Sequence, residues 1–380
     1  MKGKVNTRQN LELAEVLRHG METYPYHLSQ EQTKAVEAII SCRTKELGGH
    51  VKSCHTCGFI RQAYNSCRNR HCPKCQYLKQ EQWVDKLAGN LIPGKYFHVV
   101  FTLPHILLPL FKANKRTCYT MLFKVTSRAL QQAAANPDFL GAQAGGVAIL
   151  HTWTQTLVYH PHIHMVVPAG GLSEDGMEWK SSKKKFFLPA RVLSRIYRGI
   201  LVKLLEEALK EGSIKPPGDM ESFPTLKQKL YSKDWNVYLK KAFGGVVSVL
   251  NYLGRYTHRV AISNNRLVST TANTVSFRYK DNRDNGRKKV MELTTSEFIR
   301  RFLQHVLPDN FYKIRYVGIL AMANSRTKKS QSIALIDIIT HLPQLEGLTA
   351  IDIVEQTFRV DILLCPECKK GQLVKIRGDC

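Results

Sequence analysis

The pentapeptide HPHIH at positions 160–164 has the densest set of side chains that could do chemistry. If this segment is a β-strand, alternate side chains share one face, so His162 and His164 project together while Ile163 and Met165 point into a core. Two imidazoles on one face supply part of a divalent-metal site and leave coordination positions for substrate oxygens. The pattern predicts a catalytic metal on this strand, and a histidine-rich surface strand is the alternative.

A third ligand for this ion is needed. His151 lies on the preceding predicted strand, at 145–153, and it faces the same side if the two strands form a hairpin. We therefore assign His151 as the third ligand. His160 has the same strand parity as the pair, but Pro161 follows it and can turn it away. Gln155 is a further option.

A second group of reactive side chains lies in NYLGRYTHRVAISNNRL, at positions 251–267. On a helix, Tyr252 and Tyr256 are four residues apart and share one face, and Arg255 and Arg259 have the same spacing on an adjacent face. In an arbitrary helix, two such tyrosines are core residues. Between arginines, in a chain that also has a two-histidine strand, they are candidate nucleophiles.

The cysteines fall into two clusters with C-x2-C spacing. Each C-x2-C pair brings two thiolates to one tight turn, and two such turns make the tetrahedral cage that Zn²⁺ prefers. The first cluster predicts one structural zinc in a zinc-ribbon-like module, with the ligands Cys54, Cys57, Cys72 and Cys75. His50, Cys67 and His71 are further possible ligands: Cys67 or His71 could replace one of the four, or a second ion could be held. The alternative is that all three are ordinary surface residues, which we favour for the two histidines.

The tail cluster is a weaker signal for metal binding. Cys365 and Cys368 form one C-x2-C pair, which Cys380 alone could join, so a ligand is missing unless another part of the chain supplies it. A half-site and a turn without metal are as consistent with the pattern as zinc. Cys42 and Cys118 stand alone.

Charge points to an anionic partner. Lys and Arg number 56 against 30 Asp and Glu, which gives a formal net charge of +26 and a pI near 9.7. Such an excess favours nucleic acid as the partner. Candidate phosphate-binding residues lie in the cysteine module, beside the tyrosines and in two basic segments: Arg68, Arg70, Arg255, Arg259, Lys183, Lys184, Arg287 and Lys288. Asp281 and Asp284 weaken the case for the last segment.

No apolar run is long enough to cross a bilayer, and the N-terminal residues place charges where a signal peptide needs a continuous apolar core. We therefore expect a cytoplasmic protein without a membrane partner.

Helical and strand patterns do not strictly alternate along the chain, which predicts an α+β fold. Helical patterns occupy about 1–47 (with a Ser29–Gln32 capping box), 76–90, 105–136, 189–211, 246–258 and 294–307. Strand patterns occupy 95–102, 145–153 and 162–167, with shorter strands between 260 and 292. The predicted domains are 1–92 with the zinc module, 93–325 with the catalytic residues, and 326–380 as a tail.

The order of these motifs resembles a known family. HPHIH followed by YLGRYTHRVAISN is similar to the two-tyrosine HUH transposases of the insertion sequence 91 family. The segment SCHTCGFIRQAYNSCRNRHCPKC resembles that family's N-terminal zinc-binding domain, and EFIRRFLQHVLPDNFYKIRYVGILA is also similar to the family pattern. The resemblance covers about residues 30–325.

The resemblance implies an antiparallel HUH-type sheet flanked by helices, and a DNA transposase. Its metal would be Mg²⁺ or Mn²⁺, held by the histidines. A tyrosine would attack single-stranded DNA at an element end, giving a 5′-phosphotyrosine and a free 3′-OH. The second tyrosine would cut a second strand, which suits rolling-circle-like transfer into target DNA.

Three other functions share part of this pattern. A relaxase or replication initiator would use the same chemistry, although the zinc module favours a transposase. A zinc-ribbon DNA-binding protein without activity accounts for the charge and the cysteines but not for HPHIH with the tyrosine helix. A metal-dependent hydrolase that activates water would form no covalent adduct with DNA.

Overall fold

A five-stranded sheet lies at the centre of the protein. The computed structural model describes residues 11–89, 91–182, 188–243, 261–336 and 343–379. The strands are β1 (Gly49–Cys54), β2 (Ile60–Tyr64), β3 (Tyr96–Thr102), β4 (Gly145–Trp153), β5 (Tyr159–Pro168), β6 (Gly170–Leu172), β7 (Trp179–Ser181), β8 (Val237–Phe243), β9 (Leu267–Thr270), β10 (Thr274–Asp281), β11 (Arg287–Thr294), β12 (Ile314–Gly318) and β13 (Leu373–Asp379). The helices are α1 (Leu13–Gly20), α2 (Gln30–Ile40), α3 (Gln76–Ala88), α4 (Leu108–Ala113), α5 (Lys115–Ala135), α6 (Ala190–Lys210), α7 (Phe223–Tyr231), α8 (Thr295–Leu303), α9 (Lys328–Ala334) and α10 (Ala350–Phe358).

The central sheet has the strand order β12-β4-β5-β3-β8, and each neighbouring pair is antiparallel. The apolar faces of α5 and α6 cover one side of it, where Ile163 and Met165 are fully buried. On α5, Leu122, Val125 and Ala129 recur at helical spacing and face the same core. The α+β class and the antiparallel sheet flanked by helices are confirmed, as is the inward orientation of Ile163 and Met165.

The helical stretch expected over 105–136 is interrupted at Asn114. This residue separates α4 from α5, and its backbone is non-helical with φ −124° and ψ 45°. Its side-chain amide donates hydrogen bonds to the carbonyls of Leu110 and Lys215, at 3.0 and 2.7 Å. An asparagine side chain that bonds local carbonyls competes with helical hydrogen bonding, which explains the break.

A second core joins the N-terminal helices to the three-stranded sheet β11-β10-β9 and to α8. Leu13 and Leu17 of α1 pack in this core with Phe298 and Phe302 of α8. The predicted Ser29–Gln32 capping box is present at the start of α2. The N-terminal helices are therefore packed against elements from the second half of the chain.

A third sheet brings together distant parts of the sequence. Its order is β13-β1-β2, so a strand near residue 375 pairs with a strand near residue 50. The tyrosine helix predicted over 246–258 lies outside the described residues. Among the helices that are described, none is long and apolar enough to cross a membrane.

Buried His305 ties α8 to the loop between β4 and β5. Its Nε2–H donates to the carbonyl of Leu157 at 3.1 Å, so its Nδ1 is the acceptor for the hydroxyl of Thr152 at 3.1 Å. This neutral tautomer satisfies both hydrogen bonds at once. Burial lowers the pKa of His305 to about 3.

This pKa predicts acid destabilisation. A histidine in an unfolded chain has a pKa near 6.5, so below about pH 6.5 the unfolded state binds a proton that folded His305 does not bind. Stability therefore falls as the pH falls. In His305→Gln, the slope of the unfolding free energy against pH between 6.5 and 4.5 should decrease by up to about 1.4 kcal/mol per pH unit. Urea denaturation across this range measures it.

The matched control is His27→Gln, because His27 is exposed to solvent. It should keep the wild-type slope. Equal slopes in wild type and in both variants would contradict this account of His305.

Candidate functional site

Three histidines meet on the face of the central sheet that is opposite α5 and α6. In the β4–β5 pairing, His151 lies directly across from His162, and Ile149 lies across from His164. The ligand nitrogens of the three imidazoles lie within 4.8 Å of one another. His151 and His164 are buried, and His162 is half-buried. The hairpin expected from the sequence therefore brings His151, His162 and His164 together.

Hydrogen bonds determine which ring nitrogen of each strand histidine can bind an ion. The Nδ1–H of His162 donates to the carbonyl of His160 at 2.7 Å, because a carbonyl oxygen can only accept. Nδ1 of His164 lies 2.8 Å from Nε2 of His98. With Nδ1 of both rings engaged, Nε2 is the nitrogen that can ligate a metal.

His98 on β3 was not among the residues predicted from the sequence. In the β3–β5 pairing it lies opposite Val166, and its ring stacks on His164 with 5.1 Å between centroids and 6° between planes. The sequence gives one indication: His98 lies two residues after Tyr96 in the strand pattern KYFHVVFT, so the two side chains share one face of the strand. A lone histidine in a strand gives no indication of what it faces without the strand order.

The environment keeps these imidazoles neutral. Burial lowers the pKa of His98 and of His162 to about 4, and burial also holds the pKa of His164 well below its usual range. The positive charge of Lys240, on the neighbouring strand β8, lowers the pKa of His98 and His164 further. A neutral imidazole has the lone pair that metal ligation requires.

The ligand atoms of the other two candidates do not converge with those of the triad. The ring of His160 packs against both His162 and His105, with centroids 5.5 and 5.7 Å away. The backbone of Gln155 accepts a hydrogen bond from Arg266. Neither residue is part of the group whose ligand atoms converge. His151 is further positioned by Trp153, whose ring stacks on it at 5.0 Å and 19°.

Several predicted site residues lie outside the described residues. They are Tyr252, Tyr256, Arg255, Arg259, Lys183 and Lys184. Their assignments remain predictions.

The four cysteines predicted to share one zinc do not come together. Two groups of four sulfurs converge instead: Cys42, Cys67, Cys72 and Cys75 in one, and Cys54, Cys57, Cys365 and Cys368 in the other. The prediction of a single site from Cys54, Cys57, Cys72 and Cys75 is therefore wrong in its grouping, because each C-x2-C pair finds its partners elsewhere in the chain.

The first group is assembled on the second core. Cys42 comes two residues after the end of α2, and its Sγ lies 3.4 Å from that of Cys75. The Sγ of Cys67 lies 3.6 Å from the same sulfur. Both Arg43 and Arg68, which follow Cys42 and Cys67, have positive φ (60° and 54°). The sequence does not indicate Cys42 as a ligand, because no second cysteine lies near it at C-x2-C spacing.

The histidines of the module are outside both groups. His71 is half-buried, and its Nε2 accepts a hydrogen bond from the backbone N–H of Leu307 at 3.4 Å. Burial lowers the pKa of His71 to about 3. His50 lies on β1 opposite Ala63 of β2.

Arg70 has a different role from the predicted phosphate contact. Its guanidinium donates to the carbonyls of Phe311 and Pro308, which holds the segment after α8 against the cysteine module. Burial lowers the pKa of Arg70. Arg68, in contrast, is exposed.

The basic hairpin β10–β11 is partly neutralised by its own acids. Nζ of Lys289 lies 2.8 Å from Asp281 and 3.0 Å from Asp284, and Arg287 lies 4.0 Å from Asp284. Arg287 and Lys288 are both exposed. The acids thus weaken the predicted phosphate contact of Arg287 more than that of Lys288.

Comparison with known proteins finds two matching family models. Residues 13–103 match a family described as "Transposase zinc-binding domain", and residues 145–329 match one described as "Putative transposase". The first match and the two four-cysteine groups agree in supporting structural zinc.

Two relatives are similar over most of the chain. "Putative transposase y4qJ" of Sinorhizobium fredii is 43% identical across 97% of this chain and 96% of its own length. "Transposase for insertion sequence element IS801" of Pseudomonas savastanoi pv. phaseolicola is 32% identical across 76% of this chain and 70% of its own length. No solved structure matches the chain.

Two arginines of the module should respond differently to substitution. Arg70→Gln removes charged hydrogen bonds to two carbonyls and should lower the unfolding free energy by about 1.5–3 kcal/mol. Arg61→Gln, on β2 of the same module, is the matched control and should change stability by less than about 0.5 kcal/mol, because Arg61 is exposed. Urea denaturation measures both, and equal effects would contradict the role given to Arg70.

Proposed function

The chain belongs to the insertion sequence 91 family of transposases with an N-terminal zinc-binding domain, and from that membership we propose that it nicks and rejoins single-stranded DNA at the ends of its element. The observation that carries the proposal is the convergence of His151, His162 and His164 on one face of the antiparallel sheet. DNA is the partner of a transposase, and the net charge of +26 supports binding to an anionic polymer.

The histidine triad fits a catalytic divalent cation. The pKa values of His162 and His164 are lowered by burial, which keeps these rings neutral, and hydrogen bonds at Nδ1 orient them so that their Nε2 atoms can ligate. Mg²⁺ or Mn²⁺ held there would neutralise charge on the scissile phosphate and on the departing 3′ oxygen. Lys240 adds a positive charge near the same face, which favours phosphate binding.

Tyr252 and Tyr256 are the proposed nucleophiles. The phenol of one gives up its proton and its oxygen attacks the phosphorus, the new O–P bond forms as the bond to the 3′ oxygen breaks, and the 3′ oxygen takes up a proton, so the net proton count is unchanged. The 5′-phosphotyrosine keeps the bond energy, because a phenol with a pKa near 10 can leave when the 3′-OH attacks in the reverse step. Rejoining therefore needs no nucleotide hydrolysis. Two tyrosines allow two cleaved ends to be held in turn, which suits rolling-circle-like transfer into target DNA.

One experiment separates this proposal from its alternatives. The protein is incubated with Mn²⁺ and single-stranded DNA from the ends of its own element, and denaturing electrophoresis then reports any covalent adduct. We expect an adduct and a free 3′-OH. Cleavage without an adduct would indicate hydrolysis by activated water, and binding without cleavage would indicate an inactive DNA-binding relative.

A relaxase or replication initiator would also form the adduct, so it is separated by strand transfer. With a second element end and a target strand present, a transposase should yield element joined to target. We expect the reaction to occur in the cytoplasm, where the element's DNA lies.

The double variant His162→Ala/His164→Ala should abolish cleavage but keep DNA affinity within about threefold, because most affinity comes from Lys and Arg contacts to phosphates. Fluorescence anisotropy measures binding, and the adduct assay measures cleavage. His27→Ala, at an exposed position that is not one of the three converging histidines, should cleave normally. Loss of both binding and folding in the double variant would indicate a structural histidine pair.

The tyrosines should divide the work between them. Tyr252→Phe and Tyr256→Phe should each abolish transposition, while at least one of them still forms an adduct, and the double variant should form none. Phenylalanine keeps the ring and removes only the hydroxyl, so folding is preserved. If one single variant cleaves and transposes normally, that tyrosine is a core residue; we would expect it to be Tyr252, with Tyr256 as the sole nucleophile, because Arg255 and Arg259 lie on either side of Tyr256 in sequence.

His98 acts in this proposal as a positioning residue. When Nε2 of His164 ligates the ion, its Nδ1–H donates to Nε2 of His98, which holds the ring in place. His98→Leu should weaken Mn²⁺ binding by about 10–100-fold. His98→Gln keeps an acceptor oxygen in a similar place and should restore most of the affinity. Isothermal titration with Mn²⁺ measures both, and equal losses would mean that His98 contributes packing alone.

A further inference from the structure

We propose that Cys54, Cys57, Cys365 and Cys368 bind a second Zn²⁺, which joins the N-terminal module to the C-terminal segment of the same chain. The matching zinc-binding domain ends at residue 103 and so contains only two of these four ligands. The other two come from the C-x2-C pair in the tail, which the sequence left without partners.

The spacing of the sulfurs fits one tetrahedral ion. Sγ of Cys54 lies 3.7 Å from that of Cys368, and Sγ of Cys57 lies 3.7 Å from that of Cys365. Zn–S bonds of about 2.3 Å in a tetrahedron place sulfurs about 3.8 Å apart. A disulfide would bring two sulfurs to about 2.05 Å, so these cysteines are reduced and spaced as metal ligands.

The two C-x2-C turns have matching backbones. In the first, the N–H of Gly58 donates to the carbonyl of Cys54 at 3.0 Å. In the second, the N–H of Lys369 donates to the carbonyl of Cys365, also at 3.0 Å. Both Gly58 and Lys369 are left-handed, with φ of 73° and 53°. The residue after the second cysteine therefore reverses the chain in the same way in both C-x2-C turns.

Backbone N–H groups point at the sulfurs. Thr56 N–H donates to Sγ of Cys54 at 3.4 Å, and Gly371 N–H donates to Sγ of Cys368 at 3.3 Å. Such bonds stabilise a thiolate, which is the form that binds metal.

A glycine permits the two turns to approach each other. A Cβ on Gly371 would lie 2.5 Å from Sγ of Cys54 and 2.3 Å from Oγ1 of Thr56. The same contact continues into the sheet, where Leu373 of β13 pairs with Cys54 of β1. The C-terminal turn is thus fitted against the N-terminal one.

Beside the pairing of β13 with β1, the apolar cluster in this part of the protein is small. Its buried residues are Cys54, Cys365 and Leu373, with Phe59 and Cys368 partly buried beside them. A core this small is usually supplemented by a metal or a disulfide. We favour zinc over softer or redox-active ions, because a tetrahedral set of four thiolates around a single ion is a common structural zinc site.

The proposed site closes the chain into a large loop. Cys57 and Cys365 are 308 residues apart in sequence, and a bond through the ion restricts the unfolded chain. It follows that the C-terminal segment is a required part of the zinc-binding module.

Metal content of the full chain tests the proposal directly. Wild-type protein should contain two zinc ions and no iron by inductively coupled plasma mass spectrometry. Cys365→Ser/Cys368→Ser should contain one, and so should Cys42→Ser, which removes a ligand of the first group. Cys118→Ala, which changes a buried cysteine outside both groups, should keep two. One zinc in wild type, two in the tail variant, or iron in place of the second zinc would overturn the proposal.

A second measurement uses the wild-type protein and so does not depend on how a variant folds. Iodoacetamide labelling is followed by peptide mapping while a chelator is titrated in. Cys57 is exposed, so burial alone would not protect it. We expect Cys54, Cys57, Cys365 and Cys368 to become reactive together as zinc is removed. Full labelling of Cys57, Cys365 and Cys368 before any chelator is added would overturn the proposal.

Discussion

The pairing register of β4 with β5 is the constraint on which the candidate catalytic site depends. It places His151 opposite His162, and β5 parity adds His164 to the same face. The opposite face of β5 buries Ile163 and Met165 against α5 and α6. A one-residue shift in the pairing register would place the imidazoles in that apolar core and apolar side chains at the site. Burial of one face therefore determines which side chains are available on the other. The hydrogen bonds around the rings then select the nitrogen that can bind an ion.

The rest of the molecule braces this sheet from elements that are distant in sequence. His305 connects the segment after α8 to the β4–β5 loop. The ring of Trp153 stacks on His151 and makes a T-shaped contact with the ring of His305, whose centroid is 6.0 Å away. Arg70 of the cysteine module donates hydrogen bonds to two backbone carbonyls of the same segment. The zinc-binding module and the sheet that carries the histidine triad are thereby linked by a short series of polar contacts. Structural zinc in the module would keep that series in place.

Sequence patterns predicted what is local and missed what is assembled over long distances. The Ser29–Gln32 cap and the shared face of His162 and His164 follow from patterns within a few residues, whereas the antiparallel sheet was implied by the family resemblance. The cysteine grouping does not, because C-x2-C spacing defines half of a site and the nearest second half in sequence need not be its partner in space. His98 could not be predicted for the same reason, since only the strand order places it beside His164.

The central claim is that the three imidazoles bind a divalent cation on the face of the sheet. Crystals of the protein soaked in Mn²⁺, with diffraction data collected at the manganese absorption edge, test it most directly. The account predicts one anomalous peak within about 2.3 Å of nitrogens from His151, His162 and His164, with Nε2 as the ligand on the latter two. A peak held by other residues, or none at this face at millimolar Mn²⁺ while the strands keep their register, would contradict it.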